Sequence, residues 1–251
     1  GKDLIGEWVN AFRKEGLKVG FYYSLLDWHH PHYIVDRNHP FVEKGKGETP
    51  EYETKYAGWN KGRDMGIYRE YIRNQVTELL TNYGKIDILW LDYSFTSGTN
   101  GKSREDWDSK GLLKLVRELQ PGIILNDRLD LLDVEGGWYF TTPEQYKVSK
   151  WPERDGKKIP WETCQTFSGS WGYYRDEATW KDTRQLLTLL IETVSKGGNL
   201  LLNVGPTARG SGIDIDMRST GYAAFNRINF KPVVEHGGDC YARCAVRAKE
   251  M

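Results

Sequence analysis

Predominantly apolar segments of strand length alternate with helical segments along most of the chain. The strand-like segments are Leu17–Ser24, Ile86–Leu91 and Asn199–Val204, and their apolar residues run on with little polar alternation. Such runs are typical of parallel strands that are buried on both faces. Parallel strands need long crossover connections, usually helices. The sequence therefore predicts an α/β fold of the (β/α)8 TIM-like barrel type.

The rest of the secondary structure follows from helical periodicity, glycine and proline. Apolar spacing predicts helices over Leu4–Phe12, Tyr68–Asn82, Asp108–Leu119 and Trp180–Ser195. Shorter strands are predicted at Ile123–Leu125 and Trp138–Thr141, and Trp161–Cys164 is interpreted as the end of a strand. The polar segment Trp28–Trp59, rich in His, Pro and Gly, is predicted to be a long functional loop.

The domain organisation is predicted from the two ends of the sequence. The chain opens inside an amphipathic helix that needs a sheet to cover, so we expect a barrel that is incomplete at its N-terminus. Residues 1–211 are interpreted as the partial barrel, and 212–251 as an atypical tail without clear periodicity. An incomplete barrel places Lys18–Ser24 at one sheet edge and Asn199–Val204 at or near the other. It also predicts a poorly soluble and inactive chain.

Charge and hydropathy exclude two classes of partner. The 251 residues carry 35 Lys and Arg and 35 Asp and Glu, for a formal net charge of +0. A neutral chain without basic runs gives no electrostatic reason to expect nucleic-acid binding. No stretch reaches the roughly 18 apolar residues that a membrane span needs.

Carboxylates collect where predicted strands end. Asp92 follows the most apolar strand, Asp127 and Arg128 follow another, and Glu144 and Glu162 come later. Barrel enzymes carry their catalytic groups at the carboxyl ends of strands, and glycosidases use two carboxylates. Each residue also has an ordinary structural explanation. Asp92 could cap a helix, Asp127 could pair with Arg128, and Glu162 could be a buried structural partner of an arginine.

Aromatic residues accompany these carboxylates. Tyr22, Trp28, Trp90 and Trp171 lie at or just after predicted strand ends, where their faces could pack on sugar rings; core filling is the alternative. The segment His29–His32 contains three histidines, but adjacent side chains in an extended segment diverge and no acidic ligand set follows, so no metal site is predicted. His29 and His30 are instead candidates for a substrate-facing or structural loop.

Several of these segments, in this order, resemble glycoside hydrolase family 29, the α-L-fucosidases. The resemblance rests on Gly16–Ser24, Leu89–Asp92, Asn126–Arg128, Trp161–Cys164, Ser170–Tyr173 and, most specifically, Val194–Pro206. It implies a retaining exo-α-L-fucosidase that acts on fucosylated glycans without cofactor or metal. The family also favours an extracellular or periplasmic location. Oligomeric state is not predicted.

The resemblance also implies roles for individual residues. Asp92 matches the nucleophile, Glu144 looks like the acid/base with Glu162 in reserve, and Tyr22, Trp90 and Arg128 match residues that hold the sugar. Two departures stand out: the sugar-binding histidine motifs of the family's early strands are absent, and the family pattern is lost after Arg218. Alternatives are another retaining barrel glycosidase, such as a galactosidase, and a non-catalytic carbohydrate-binding barrel fragment.

Overall fold

The computed structural model describes residues 2–43, 50–96, 101–172 and 177–203, which form two compact units. One unit is Lys18–Thr142, and the other combines Gly1–Leu17 with Pro143–Met251. The described elements, in chain order, are α1 (Leu4–Lys14), β1 (Gly20–Ser24), α2 (Pro50–Trp59), α3 (Met65–Thr81), β2 (Ile88–Asp92), α4 (Arg104–Trp107), α5 (Ser109–Leu119), β3 (Ile124–Leu125), β4 (Glu153–Arg154), β5 (Lys157–Lys158), β6 (Glu162–Thr166), α6 (Thr183–Ser195) and β7 (Asn199–Asn203).

The Lys18–Thr142 unit is built on a parallel sheet with strand order β1-β2-β3. Its register pairs Tyr22 with Trp90 and Ser24 with Asp92, and Asn126 just after β3 bridges Phe140 in parallel. Strand β2 is central and buried from Leu89 onward. The sheet therefore brings the carboxyl ends of β1, β2 and β3 to one edge.

Helix caps explain why the crossover helices begin where they do. The side chain of Asp64 accepts a hydrogen bond from the Gly66 amide at the start of α3, and that of Asp108 accepts one from Gly111 at the start of α5. Each cap satisfies an amide that has no partner within its helix. Both helices present buried apolar residues to the core, among them Val76 and Val116, which have no exposed surface.

The other unit contains a parallel pair, β6-β7, whose register runs from Glu162–Asn199 to Thr166–Asn203. Glu144 bridges Cys164 in parallel. Helix α6 starts with a capping box between Asp182 and Gln185 and ends before two glycines. The second of these, Gly198, is required by close packing, since a Cβ there would lie 2.3 Å from the buried Trp161 ring.

The two predicted edge strands lie in separate sheets, so their places at the two edges of one incomplete barrel stay a prediction. Among the described strands, β1 pairs only with β2, and β7 pairs only with β6. The parallel sheets and helical crossovers support the α/β class, whereas the eight-stranded barrel stays a prediction. No helix in the described part of the chain is long and apolar enough to cross a membrane.

Three of the local predictions are wrong, and one hairpin was not predicted. Trp138–Thr141 is not among the described strands. Helix α2 replaces the last part of the predicted Trp28–Trp59 loop. The charged segment after residue 150 contains the β4-β5 hairpin, whose Asp155-Gly156 turn has positive φ at both residues, as a type I′ turn requires. The segment Trp161–Cys164 begins β6 rather than ending a strand. This short segment mixes polar and apolar residues, so its composition predicts a strand but not where the strand begins and ends.

Candidate active site

Asp92 is the last residue of β2, and its carboxylate is held on both oxygens. Oδ2 accepts a hydrogen bond of 3.0 Å from the Tyr22 hydroxyl. Oδ1 accepts one of 3.0 Å from Arg128 Nη1 and one of 2.9 Å from the Tyr93 amide. The residue is 9% exposed. These donors fix the orientation of a carboxylate that solvent can still reach, and an oriented, accessible carboxylate is suited to attack on a substrate.

The backbone turns sharply directly after Asp92. Tyr93 has φ of 79°, a value that non-glycine residues rarely adopt, and this turn brings its own amide back to the Asp92 side chain. The buried Trp107 stabilises the turn, because its indole nitrogen donates to the Tyr93 carbonyl over 3.0 Å. Strain at this position therefore serves to orient the carboxylate.

Tyr22 and Trp90 form an aromatic wall beside the carboxylate. They face each other across β1 and β2, and their rings stack with centroids 5.6 Å apart. Loss of hydration, followed by the negative charge of Asp92, raises the pKa of Tyr22 well above its usual range. The phenol therefore stays protonated and donates to Asp92 at any physiological pH.

Arg128 contacts Thr142 and Trp90 in addition to Asp92. Its Nε donates to the Thr142 hydroxyl over 2.8 Å, and its Nη2 donates to the Thr142 carbonyl over 2.9 Å. The guanidinium carbon lies 5.1 Å from the centroid of Trp90. The Thr142 hydroxyl in turn donates to Asp127 Oδ1 over 3.1 Å. These contacts fix the guanidinium group of Arg128, and its Nη1 is directed at Asp92.

The three residues of the Asn126–Arg128 motif have different tasks. Asn126 is fully buried, and its side chain donates to the Leu91 carbonyl over 2.8 Å and accepts from the Leu91 amide over 3.1 Å. These side-chain hydrogen bonds continue the pairing of β2 and β3. Asp127 faces Thr142, and burial raises its pKa. Arg128 contacts Asp92. The hydrogen-bond partner of Asp127 is Thr142, and the role of Arg128 in holding the sugar stays a prediction.

The loop after β1 carries Trp28, which is 41% exposed, and the His39 side chain is hydrogen-bonded to its backbone carbonyl. Nδ1 of His39 accepts from the Phe41 amide, so Nε2 carries the proton and donates to the Trp28 carbonyl over 3.2 Å. His39 is 3% exposed. It escaped the sequence analysis because it is an isolated histidine within a loop.

Asp27, Tyr68 and Tyr71 fix the start of the same loop, and the Asp27 amide donates to the Tyr68 hydroxyl over 2.7 Å. The Tyr71 hydroxyl donates to Asp27 Oδ2 over 3.0 Å, and the His29 amide donates to Oδ1 over 3.0 Å. The His30 ring packs against Tyr71 with centroids 4.4 Å apart, while His29 is exposed. The structure therefore gives His30 a packing partner on α3 and leaves the His29 side chain accessible.

A buried lysine joins this loop to the segment that follows β2. Lys102, only 6% exposed, donates to the Ile34 carbonyl over 2.5 Å and to the Asp36 carboxylate, and its ammonium lies 3.9 Å from the centroid of Tyr33. Burial lowers its pKa. The carboxylate and the ring face compensate for the lost hydration of the cation.

No group of three or more His, Cys, Asp or Glu among the described residues could hold a metal ion.

The burial of His39 predicts a pH-dependent stability. Loss of hydration lowers its pKa, so its stabilising contribution is present above the unfolded value near 6.5 and is lost as the pH falls through the folded value. We expect the free energy of unfolding to fall between pH 7.5 and 5.5, and to fall less in His39→Gln. Urea titrations at both pH values measure this, with His29→Gln as the exposed control. His30, whose pKa burial also lowers, is present in every variant. Equal pH dependence in wild type and His39→Gln would contradict the assignment.

The other candidates lie in the second unit. Glu144 is exposed, next to Gln145, whose amide donates to the Cys164 carbonyl over 3.0 Å. Glu162 is the first residue of β6 and pairs in register with Asn199. Trp171 is 44% exposed, and its carbonyl accepts from Asn203 at the carboxyl end of β7 over 2.8 Å. Because catalytic groups gather at carboxyl ends of parallel strands, Glu162 is at the less suitable end of its strand.

An oriented aspartate, a fixed arginine and aromatic rings at the carboxyl end of a parallel sheet are the features of a glycoside hydrolase. The family model described as alpha-L-fucosidase matches residues 1–219. The chain therefore belongs to the α-L-fucosidase family.

Relatives and solved structures agree with this membership. Tissue alpha-L-fucosidase of Macaca fascicularis is 29% identical over 216 residues, which is 83% of this chain and 39% of the relative. An alpha-L-fucosidase of Branchiostoma floridae is 31% identical over 218 residues, 83% of this chain and 41% of the relative. Alpha-L-fucosidase isoenzyme 1 from Paenibacillus thiaminolyticus superimposes with a TM-score of 0.68 at 41% identity, covering 83% of this chain and 48% of its own. The chain thus spans about two fifths of the length of these curated relatives.

A second structure is informative because of its ligand. An alpha-L-fucosidase from Lactobacillus casei in complex with alpha-L-fucose product has a TM-score of 0.60 at 27% identity, covering 81% of this chain and 58% of that one.

Separately, the family model for the 49 kDa subunit of respiratory-chain NADH dehydrogenase matches residues 195–251. This second match covers less than a quarter of the chain and overlaps the fucosidase match.

Proposed function

We propose that this chain is the nucleophile-bearing part of a retaining exo-α-L-fucosidase that removes terminal α-L-fucose from glycans. The observation that carries the proposal is the Asp92 carboxylate, which Tyr22 and Arg128 hold at the end of β2. Family membership and the fucose-bound neighbour support fucose as the sugar.

The proposed reaction is a double displacement. In the first step an Asp92 oxygen attacks the anomeric carbon, the bond from that carbon to the leaving oxygen breaks, and the leaving oxygen takes a proton from Glu144. In the second step Glu144 removes a proton from water, the water oxygen attacks the anomeric carbon, and the ester bond to Asp92 breaks. Fucose leaves with its original anomeric configuration, and both carboxyl groups return to their starting states.

The contacts of Asp92 suit both of its roles. As the fucosyl ester forms, the carboxylate loses its charge, and the Tyr22 and Arg128 hydrogen bonds weaken with it. When the ester breaks, the same donors stabilise the departing carboxylate. The stacked rings of Tyr22 and Trp90 are proposed to pack on the sugar together with Trp28 and Trp171, with His29 and His30 in the neighbouring loop.

We also propose that residues beyond the described ones complete the barrel and the fucose pocket. The chain spans 39% of the Macaca relative, and α6 presents an exposed apolar stripe at helical spacing, formed by Leu187, Leu190, Ile191 and Val194. Such a stripe normally packs on another element. Residues 1–211 are proposed as the catalytic part, with little activity on their own, and 212–251 as an atypical C-terminal tail.

A panel of p-nitrophenyl glycosides tests the proposal on the full-length enzyme. We expect hydrolysis of the α-L-fucoside and not of the galactosides, and proton NMR should show α-L-fucose as the first product. Preferred cleavage of a galactoside would favour the other retaining-glycosidase assignment. Binding of L-fucose without hydrolysis of any glycoside would favour the carbohydrate-binding alternative.

A further inference from the structure

Thr142 contacts Arg128 with both of its oxygens, although it is neither charged nor part of a recognised motif. Its hydroxyl accepts from Arg128 Nε over 2.8 Å, and its carbonyl accepts from Nη2 over 2.9 Å. The residue is 5% exposed, so water does not readily substitute for these contacts. One residue therefore occupies two of the three nitrogens of the guanidinium group.

The Thr142 hydroxyl is itself fixed in direction. Because it donates to Asp127 Oδ1 over 3.1 Å, its lone pairs are left for Arg128 Nε. Asp127 thus sets the proton position of Thr142, and Thr142 sets the plane of Arg128. The third nitrogen, Nη1, then lies 3.0 Å from Asp92 Oδ1.

We propose that Thr142 is a positioning residue for the reaction, and that the relay Asp127–Thr142–Arg128 aims the guanidinium at the nucleophile. The proposal rests on the proposed fucosidase function, in which Asp92 attacks the sugar. Its basis is that a planar guanidinium held at two of its nitrogens has no remaining freedom to rotate. Thr142 also precedes Glu144 by two residues in the chain, so the residue that positions Arg128 is joined covalently to the proposed acid/base.

The test compares Thr142→Val with Thr142→Ser in the full-length enzyme. Valine keeps the shape and the carbonyl but removes the hydroxyl, which leaves Arg128 Nε and Asp127 Oδ1 without that partner. We expect kcat on an aryl fucoside to fall by about tenfold to a hundredfold, the cost of small misplacements of reacting groups, with a smaller change in KM. Serine keeps the hydroxyl and should retain activity within about threefold of wild type, a loss far smaller than that of valine.

Thr193→Val is the matched control for loss of a buried threonine hydroxyl. Thr193 is 3% exposed and donates to the Leu189 carbonyl within α6. Its replacement should leave kcat unchanged. If Thr142→Val is as active as Thr193→Val, or if Thr142→Ser is as impaired as Thr142→Val, the positioning role is wrong.

A double-mutant cycle tests whether Thr142 acts through Arg128. In an Arg128→Ala background, Thr142→Val should cause no further loss of kcat, because the group that it positions is gone. A full multiplicative loss in that background would overturn the relay.

A readout that does not depend on turnover separates this proposal from the proposed function. The side-chain Nε–H resonance of Arg128, assigned by its disappearance in Arg128→Lys, should shift in Thr142→Val and stay in place in Thr142→Ser and Thr193→Val. An enzyme that hydrolyses no fucoside yet shows this shift would refute the proposed function and retain the relay. An unmoved resonance in Thr142→Val would refute the relay whatever the activity.

Discussion

Asp92→Gly in the full-length enzyme is expected to lower kcat on an aryl α-L-fucoside by three or more orders of magnitude. In the proposed mechanism Asp92 forms the covalent bond to the sugar, and loss of a nucleophile removes a reaction step rather than a single contact. Steady-state kinetics with p-nitrophenyl α-L-fucoside measures the effect. Glycine also leaves a space between Tyr22 and Arg128 that a small anion can occupy.

Azide gives this experiment its specificity. In Asp92→Gly, azide should restore turnover and yield β-fucosyl azide, because it attacks from the side of the missing carboxylate in a single displacement. Wild-type enzyme, which keeps its carboxylate, serves as the control and should gain nothing from azide. A variant that keeps near-normal activity without azide would show that another residue is the nucleophile.

Glu144→Gln is expected to lower kcat/KM by roughly 10²- to 10⁴-fold on a natural glycan, the usual contribution of a general acid. The loss should be much smaller on aryl fucosides with activated leaving groups, because a good leaving group needs little protonation. The dependence of the rate on the leaving-group pKa, measured over a series of substituted phenyl fucosides, should therefore steepen in Glu144→Gln.

Glu162→Gln is the matched variant for that experiment. Glu162 lies at the amino end of β6, whereas Glu144 is exposed in the segment that bridges the middle of the same strand. We expect the leaving-group dependence of Glu162→Gln to match that of wild type. A steeper dependence in Glu162→Gln than in Glu144→Gln would transfer the acid/base role to Glu162.

The sequence predicted best where a single local pattern decides the structure. The run that ends in Asp92 has continuous apolar residues and helical neighbours, so the strand and the place of Asp92 at its carboxyl end follow from periodicity. Helices α3, α5 and α6 also begin and end within a few residues of their predicted limits, because capping residues and glycines lie close to those limits.

The sequence failed where the structure depends on distant partners. Strand β6 pairs with β7, and nothing within Trp161–Cys164 shows that the strand continues to Thr166. The roles of Thr142 and His39 arise from contacts with Arg128 and with the Trp28 carbonyl, 14 and 11 residues away. Isolated polar residues have many possible partners, and only the folded backbone selects one.

Because Lys102 is enclosed, its rate of chemical modification reports on local opening of the structure around it. Amine-acylating reagents and trypsin both need an accessible lysine, and this ammonium is closed off between Asp36 and the Tyr33 ring. Lys102 is therefore protected for as long as the loop after β1 and the segment after β2 stay together. Its rate of modification, followed by mass spectrometry against exposed lysines such as Lys85, measures how often the two segments beside Asp92 separate.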